Sequence, residues 1–254
     1  MIPTQRFTDR VDDYVRARPG YPPAAIGMLA DVLRLDGSRT VADVGAGTGI
    51  SAEALLGRGA KVIAIEPNAA MRAAAAARLG AREGFRAVDG TAEATTLDAA
   101  SVDAVVAAQA FHWFDRPAFR RECLRILKPG GAVALLWNVR RVEASPFDTA
   151  YEALLREHAT DYLVVRHENV VDDELAAFFG GPLERGVFDN PQPLDLAGLR
   201  ARLLSSSYVP AAGDPRCEAM LAALEALFSA HASGGRVVMS YDTRVYAGPL
   251  SGTR

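Results

Sequence analysis

Three glycines at alternate positions form the clearest chemical pattern in the sequence. Gly45, Gly47 and Gly49 follow a short apolar run and precede a helical pattern. Glycines in such a loop let the backbone turn sharply and approach a ligand closely, as nucleotide-binding loops do. The dinucleotide fingerprint G-x-G-x-x-G requires glycine at position 50, where this chain has Ile50. The spacing therefore indicates a nucleotide-like ligand and argues against a pyrophosphate cradle.

An acidic residue follows the loop at the distance expected for ribose recognition. Glu66 ends the next apolar run, about 20 residues past the loop, where a carboxylate can accept hydrogen bonds from both ribose hydroxyls. Together with Asp43, which precedes the glycines, this pattern is more specific than the loop alone. The alternative interpretation is a glycine-rich turn followed by an acid that caps a helix.

A histidine and a tryptophan follow the fourth apolar run of the chain. Ligands of open α/β sheets lie beyond the carboxyl ends of the strands, so His112 and Trp113 are expected there. His112 is a candidate general base, since the ordinary pKa of histidine is about 6.5. The alternative is that His112 only positions substrate through a hydrogen bond. Trp113 is either an aromatic wall of the site or a core residue.

The residues before the first core helix are further candidates for substrate contact. Tyr14, Arg18 and Tyr21 lie in a segment that we expect to fold over the site. Arg18 could hold a carboxylate of the cofactor or of an acidic substrate. The alternative is an exposed arginine in a mobile end of the chain.

Strand and helix patterns alternate through the first half of the chain, which predicts a parallel sheet covered on both faces. Strands are predicted at 40–44, 61–65, 84–88, 102–108 and 132–137, and helices at 22–35, 50–56, 67–79 and from Asp115 to about 127. Beyond Asn138 the spacing of apolar residues predicts helices at 146–158, 172–179, 196–204 and 216–228, an extended stretch at 187–188 and a last strand at 236–246. We interpret residues 1–254 as one domain, with a core at 36–138 and a helical, substrate-capping insert at 141–235.

Composition limits the classes of partner. The chain has 254 residues, a formal net charge of −3 and no block of Lys or Arg, which disfavours a nucleic-acid partner. No run of 18 apolar residues is present, and the first residues lack the apolar core of a signal peptide. We therefore expect a cytoplasmic protein without a membrane partner, a monomer or homodimer. Its two cysteines are expected to be reduced, and no His, Cys or Asp cluster has metal-ligand spacing.

Five motifs in order resemble those of class I S-adenosylmethionine-dependent methyltransferases. They are VADVGAGTG (41–49), VIAIEPN (62–68), DGTAEATTL (89–97), VDAVVAAQAFHWFD (102–115) and LKPGG (127–131). Three further segments are similar to the small-molecule branch that includes trans-aconitate methyltransferase-like proteins: DDYVRARPGYP (12–22), QAFHWFD (109–115) and SYDTRVYAG (240–248). The resemblance implies a Rossmann-like, doubly wound, mostly parallel seven-stranded sheet with a helical insert after strand five.

The resemblance also implies a role for particular positions. Gly45 and Gly47 would lie under the methionine part of the cofactor, Glu66 would hold the ribose, and Thr91 and Ala92 would lie beside the adenine. Many relatives have aspartate in place of Thr91, and Glu93 beside it is equally well explained as a helix-start acid. The full set expected at the cofactor is Asp43, Gly45, Ala46, Gly47, Gly49, Glu66, Pro67, Thr91, Ala92, Glu93, Gln109 and Phe111. The set expected at the substrate is Tyr14, Arg18, Tyr21, His112, Trp113 and Asn138.

These residues predict an enzyme that transfers a methyl group from S-adenosylmethionine to a small organic molecule, with His112 at the reacting atoms. The sequence leaves three alternatives open. They are methylation of a protein or RNA, a non-catalytic protein that binds the cofactor, and a cofactor-assisted cyclase. It does not identify the acceptor or say whether oxygen, nitrogen or carbon is methylated.

Overall fold

Helices and strands alternate along the chain up to the fifth strand. The computed structural model describes residues 17–160, 162, 172–206, 208–210 and 214–251. The helices of these residues are α1 (Pro23–Leu33), α2 (Ile50–Leu56), α3 (Ala69–Leu79), α4 (Arg116–Ile126), α5 (Pro146–His158), α6 (Asp172–Phe179), α7 (Leu196–Leu204) and α8 (Pro215–His231). The strands are β1 (Thr40–Val44), β2 (Lys61–Ile65), β3 (Phe85–Val88), β4 (Val102–Ala108), β5 (Leu127–Arg140), β6 (Glu184–Asp189), β7 (Gln192–Leu194), β8 (Val237–Met239) and β9 (Tyr241–Gly248).

Seven of the strands form one sheet in the order β3-β2-β1-β4-β5-β9-β6. The first five are parallel to one another, whereas β9 runs antiparallel to both β5 and β6. This arrangement confirms the predicted α/β class, with a mostly parallel seven-stranded sheet and an insert after strand five. The central strands β1 and β4 are almost wholly buried, because helices cover both faces of a doubly wound sheet.

Each face of the sheet has its own apolar core. On one face α4 and α6 bring Phe119, Cys123 and Phe178 against the sheet. On the other face α1 and α2 contribute Leu29 and Leu55. Burial of these side chains stabilises the layers, at roughly 1.5–3 kcal/mol for each fully buried large apolar residue.

A third core belongs to the remaining elements, α5, α7, α8, β7 and β8, which we call the insert. Its buried members include Tyr151, Leu199, Met220, Leu224 and Met239, and β7 pairs antiparallel with β8 in a separate two-stranded sheet. The first chain segment of the insert follows Arg140 and the last one precedes Tyr241, and these two residues are partners in the β5–β9 ladder. The insert therefore joins the main sheet at the carboxyl end of β5.

Several predicted boundaries were wrong. The last strand was expected to be continuous over 236–246, but it is divided between β8 and β9, which belong to different sheets. Strand β5 begins at Leu127, five residues earlier than expected, because Leu127 already pairs with Val102 before the register shifts. Helix α3 begins at Ala69 rather than at Pro67, since the side chain of Asn68 caps it.

The described residues of the segment 141–190 divide between the insert and the main sheet. Its first helix, α5, packs in the insert, but α6 lies against one face of the main sheet and β6 forms the outer strand of that sheet. Most of the insert comes from residues 192–239 instead. Apolar residues at helical spacing predict a buried helix face but not the neighbour that buries it.

Candidate active site

The carboxyl ends of β1, β2 and β4 bring the predicted chemical residues to one edge of the sheet. These strands are adjacent and parallel, with β1 in the centre. The glycine loop follows β1, Glu66 follows β2, and the segment containing His112 follows β4. Residues separated by more than 60 positions in sequence thus share one edge because parallel strands end on the same side.

Two of the glycines are required for different reasons. At Gly45, with φ of +70°, an added Cβ would lie 2.6 Å from Cβ of Ala110, so the loop contacts the segment after β4. At Gly47, with φ of +56°, an added Cβ would meet nothing within 4 Å. Gly45 is thus needed for close packing, whereas Gly47 turns a bare backbone towards open space where a ligand could approach.

The carboxylate of Glu66 is held by two backbone N–H groups. Gly47 donates to Oε2 and Asn68 donates to Oε1, each over 2.9 Å. The side chain is buried, and this burial raises the pKa of Glu66 above its ordinary value, although the two N–H groups oppose the rise. A carboxylate has about four lone-pair positions, so both oxygens can still accept from a further pair of hydroxyls.

Asp43 and Thr48 place buried polar atoms on either side of the loop glycines. The hydroxyl of Ser51 donates to Oδ2 of Asp43 over 2.7 Å. Oδ1 of Asp43 and Oγ1 of Thr48 are buried without a hydrogen-bond partner in the described part of the chain. Burial, with a smaller contribution from the nearby charge of Glu66, raises the pKa of Asp43 to about 7, although the hydrogen bond from Ser51 opposes the rise. Such atoms favour a polar ligand that would supply their missing hydrogen bonds.

The turn after β3 contains the residues expected at the adenine. The N–H of Thr91 donates to the carbonyl of Ala94, and Oγ1 of Thr91 accepts from the N–H of Ala94. Ala92 is buried beside the core of one sheet face. Glu93 accepts from the N–H of Asp115 over 3.0 Å, and therefore supports the start of α4. Pro67, which follows Glu66, is half-buried.

The other two residues expected at the cofactor differ in their surroundings. Gln109 ends β4 with φ of +58°, and its side-chain amide donates to the carbonyl of Asn138 over 3.3 Å. The ring of Phe111 is fully buried among aromatic residues, with centroids 4.9 Å from Phe178 and 6.0 Å from Trp137. Phe111 is thus a core residue beneath the site, and only its backbone can face a ligand.

His112 and Trp113 lie in a short 3-10 helix that follows β4. Both rings are half-buried, and their centroids are 4.9 Å apart. Burial, together with the positive charges of Arg116 and Arg18, lowers the pKa of His112 to about 4. The imidazole is therefore neutral at physiological pH. No local pattern predicts a role for Arg116, because its proximity to His112 depends on how α4 leaves the sheet edge.

The remaining substrate candidates have structural partners. Arg18 donates to the carbonyl of Ser205 in the insert over 2.8 Å, and Tyr21 packs at the edge of the α1 core. The buried amide of Asn138 donates to the carbonyl of Gly20, and its oxygen accepts from the hydroxyl of Thr243 over 2.6 Å. Asn138 therefore fixes the segment before α1 to the sheet. Tyr14 lies outside the described residues.

The arrangement fits S-adenosylmethionine at three points. Glu66 presents a fixed carboxylate to a ribose, Gly47 leaves space beside that carboxylate, and Asp43 has a buried oxygen available to a donor. Within the described ranges, no group of three or more His, Cys, Asp or Glu side chains is arranged to hold a metal ion. Nor does any helix in those ranges have the length and apolar character to cross a membrane.

Comparison with known proteins gives the same assignment for the core. Residues 42–135 match the family model described as a methyltransferase domain. An uncharacterised methyltransferase of Mycobacterium tuberculosis is 42% identical over 134 residues, which are 53% of this chain and 52% of the relative. One from Schizosaccharomyces pombe is 33% identical over 138 residues, 53% of each chain. The chain thus spans about half the length of the curated relatives it matches.

Solved structures resemble the chain over most of its length. A candidate type II methyltransferase from Anaeromyxobacter dehalogenans superposes with a TM-score of 0.62, at 24% identity, covering 92% of this chain and 98% of that one. A geranyl diphosphate methyltransferase in complex with S-adenosylmethionine gives a TM-score of 0.51, at 16% identity, covering 90% and 85%. At these identities the likeness shows the fold. Residues 42–135 therefore resemble a methyltransferase domain, within a fold that this chain shares with solved methyltransferase structures.

Proposed function

We propose that the protein transfers a methyl group from S-adenosylmethionine to a small organic acceptor and releases S-adenosylhomocysteine. The observation that carries the proposal is the carboxylate of Glu66, which two backbone N–H groups fix beside the open face of Gly47. A fixed carboxylate at the end of the second strand is suited to bind the two hydroxyls of a ribose.

In this proposal the residues of the sheet edge divide between two parts of the cofactor. The loop 45–49 would lie under the methionine part, with the buried Oδ1 of Asp43 available to a donor of that part. Glu66 would hold the ribose, and Thr91 and Ala92 would lie beside the adenine. When bound, S-adenosylmethionine supplies an electrophilic methyl group on a sulfonium, and the protein must align the acceptor atom with it.

His112 is the residue that we assign to the acceptor. A pKa near 4 makes the neutral imidazole a weak base, whereas an efficient general base has a pKa close to the working pH. The structure of the site therefore favours a positioning role, in which one ring nitrogen holds the acceptor by a hydrogen bond. Trp113 beside it offers an aromatic surface to the acceptor and to a sulfonium.

The insert supports a small acceptor. It joins the sheet at the carboxyl end of β5. Two hydrogen bonds of 2.8 Å hold residues 17–18 against it: Arg18 donates to the carbonyl of Ser205, and the side chain of Gln192 donates to the carbonyl of Ala17. We propose that the insert and this segment enclose the acceptor above His112. An enclosed site admits a small molecule more readily than a folded protein or RNA.

Glu66→Ala tests the cofactor part of the proposal. Loss of two charge-assisted hydrogen bonds should weaken binding of S-adenosylhomocysteine by about 2–3 kcal/mol, or roughly 30- to 150-fold in Kd by calorimetry. Glu53→Ala, at an exposed glutamate of α2 that pairs with Arg78, is the matched control and should leave Kd unchanged. Equal affinity of wild type and Glu66→Ala would remove Glu66 from the site and withdraw the proposal.

A further inference from the structure

The insert contains a buried group of arginine and tyrosine side chains that the cofactor site does not use. We call this set the arginine–tyrosine cluster; its members are Arg140, Arg202, Tyr151, Tyr162, Tyr208 and Tyr241. The guanidinium of Arg140 lies 5.1 Å from the ring centre of Tyr151, and that of Arg202 lies 5.8 Å from the ring centre of Tyr241. The rings of Tyr162 and Tyr208 are 5.0 Å apart.

The cluster has more positive than negative charge. Glu152 is the carboxylate that pairs with Arg140, over 2.6 Å, and it is shared with Arg156 over 3.0 Å. Arg202 is 5% exposed, yet its partners are the hydroxyls of Tyr241 at 2.8 Å and of Ser206 at 3.0 Å. Among the described residues no carboxylate pairs with Arg202.

The other buried carboxylate near this part of the insert is engaged elsewhere. Asp148 accepts from the hydroxyl of Ser145 and from the N–H of Ser240, and so holds the start of α5 to the strand that returns to the sheet. A buried guanidinium without a counter-charge destabilises the folded protein, because the ion has lost its hydration. Hydroxyl partners offset only part of that cost, so an anion at Arg202 would be favourable.

A tyrosine hydroxyl of the cluster also lacks a partner. Tyr151 is 1% exposed, and in the described part of the chain its hydroxyl makes no hydrogen bond. A buried donor without an acceptor destabilises the folded protein. Within the described residues, the cluster therefore combines a positive charge that no carboxylate pairs with and an unused O–H donor. A carboxylate meets both needs, because it carries one negative charge and only accepts hydrogen bonds.

Arg18 relates the arginine–tyrosine cluster to His112, through one hydrogen bond to the insert and through its charge. Arg18 lowers the pKa of both His112 and Tyr208, so this arginine lies within electrostatic range of each. It also donates to the carbonyl of Ser205, the residue after α7, which carries Arg202. Arg18 and Tyr208 are half-buried and form the more open side of the cluster. An acid bound there would extend towards His112.

We propose that the arginine–tyrosine cluster is the subsite for a carboxylate of the methyl acceptor, with Arg202 and Tyr151 as its specificity-determining residues. This inference rests on the proposed function, and it adds the chemical class of the substrate. A carboxylate would accept from the guanidinium of Arg202 and the hydroxyl of Tyr151. The neutral His112 would then meet the other end of the same molecule.

The test uses the protein loaded with S-adenosylhomocysteine and titrated with succinate, its neutral diamide succinamide, and inorganic phosphate. We expect succinate to bind at least about 10-fold more tightly than succinamide. Arg202→Met and Tyr151→Phe should each weaken succinate about 10- to 100-fold, the range for a hydrogen bond to a charged group. Arg200→Met, at the exposed neighbour on α7 that pairs with Glu225, removes the same charge outside the cluster and should change nothing.

Thermal unfolding without ligand separates this role from a structural one. Tyr151→Phe removes an unsatisfied hydroxyl and should melt at or above the wild-type temperature, so it remains a valid test even where Arg202→Met fails to fold. Equal binding of succinate and succinamide, or equal effects of Arg202→Met and Arg200→Met, would overturn the subsite. Tighter binding of phosphate than of succinate would overturn the assignment to a carboxylate. Failure to load S-adenosylhomocysteine would instead reject the proposed function.

Discussion

The low pKa of His112 should make folding stability depend on pH in a way that one substitution removes. Burial and the charges of Arg116 and Arg18 lower this pKa from 6.5 to about 4. The unfolded chain therefore binds a proton at His112 between about pH 4 and 6.5 that the folded protein does not bind. In this window stability rises with pH, and the penalty disappears above the unfolded pKa. His112→Asn removes the titrating group and keeps a side chain of similar reach.

The magnitude follows from the two pKa values. Each unit of difference corresponds to 1.36 kcal/mol, so at pH 5.0 the wild type loses about 2 kcal/mol through His112, and at pH 7.5 almost nothing. Urea unfolding of wild type and His112→Asn at both pH values gives four free energies of unfolding. The difference between variant and wild type should move by about 2 kcal/mol in favour of the variant when the pH falls from 7.5 to 5.0. Contributions from all other titrating groups cancel in this comparison.

Two controls make the result decisive. His158→Asn, on α5 and away from the sheet edge, shows the effect of replacing a histidine elsewhere. Titration of the ring of His112 by NMR locates its pKa directly. A variant–wild-type difference that is the same at pH 5.0 and 7.5, with the ring titrating near 6.5, would refute the environment that we describe for His112.

Three further predictions concern the same edge of the sheet. The pKa of Asp43 is raised to about 7, so between pH 5 and pH 7 the folded protein holds a proton that the unfolded chain has lost. When the pH rises from 5 to 8, Asp43→Asn should therefore gain about 2–3 kcal/mol of stability relative to wild type, as urea unfolding at both pH values would measure. In turnover assays His112→Asn should keep most of the rate and His112→Ala should lose about 10-fold. The rate of the wild type should fall in acid, near pH 4. An equal loss of roughly 10²–10⁴-fold in both variants would instead indicate a general base. Gly45→Ala should destabilise the fold by about 2–4 kcal/mol, since the new Cβ would overlap that of Ala110. Gly47→Ala should cost about 1–2 kcal/mol of backbone strain, and calorimetry should show that it binds S-adenosylhomocysteine more weakly. Equal stability of the two variants would contradict the packing argument.

The first half of the chain was largely predictable because its signals are local. The strands around Val41 and Val105 are mostly apolar, and glycines, Asp115 and Asn68 mark the turns between them. Buried parallel strands need apolar residues on both faces, so sequence and structure agree there. The placement of the loop, Glu66 and His112 at one edge follows from the parallel order of the strands.

The predicted strand boundaries were wrong where the chain passes from one pairing strand to another. Ser240 separates β8 from β9, yet the residues on both sides continue one extended, apolar pattern. Which strand each half pairs with depends on hydrogen bonds to segments far away in sequence. Asn138 is likewise, by its sequence, a polar residue near the end of a strand. Its hydrogen bonds with Gly20 and Thr243 show that it joins distant parts of the chain.

The sequence by itself determined the class of the fold, the glycine loop with its acid, and the position of His112 after the fourth strand. The tertiary structure decided the electrostatics. His112 is a weak base because burial and two arginines surround it, and those arginines come from α4 and from the segment before α1. The arginine–tyrosine cluster depends in the same way on packing, since Arg140 ends a strand of the main sheet while Arg202 lies in a helix of the insert. A charge's surroundings are set by residues brought together only on folding, and no local pattern records them.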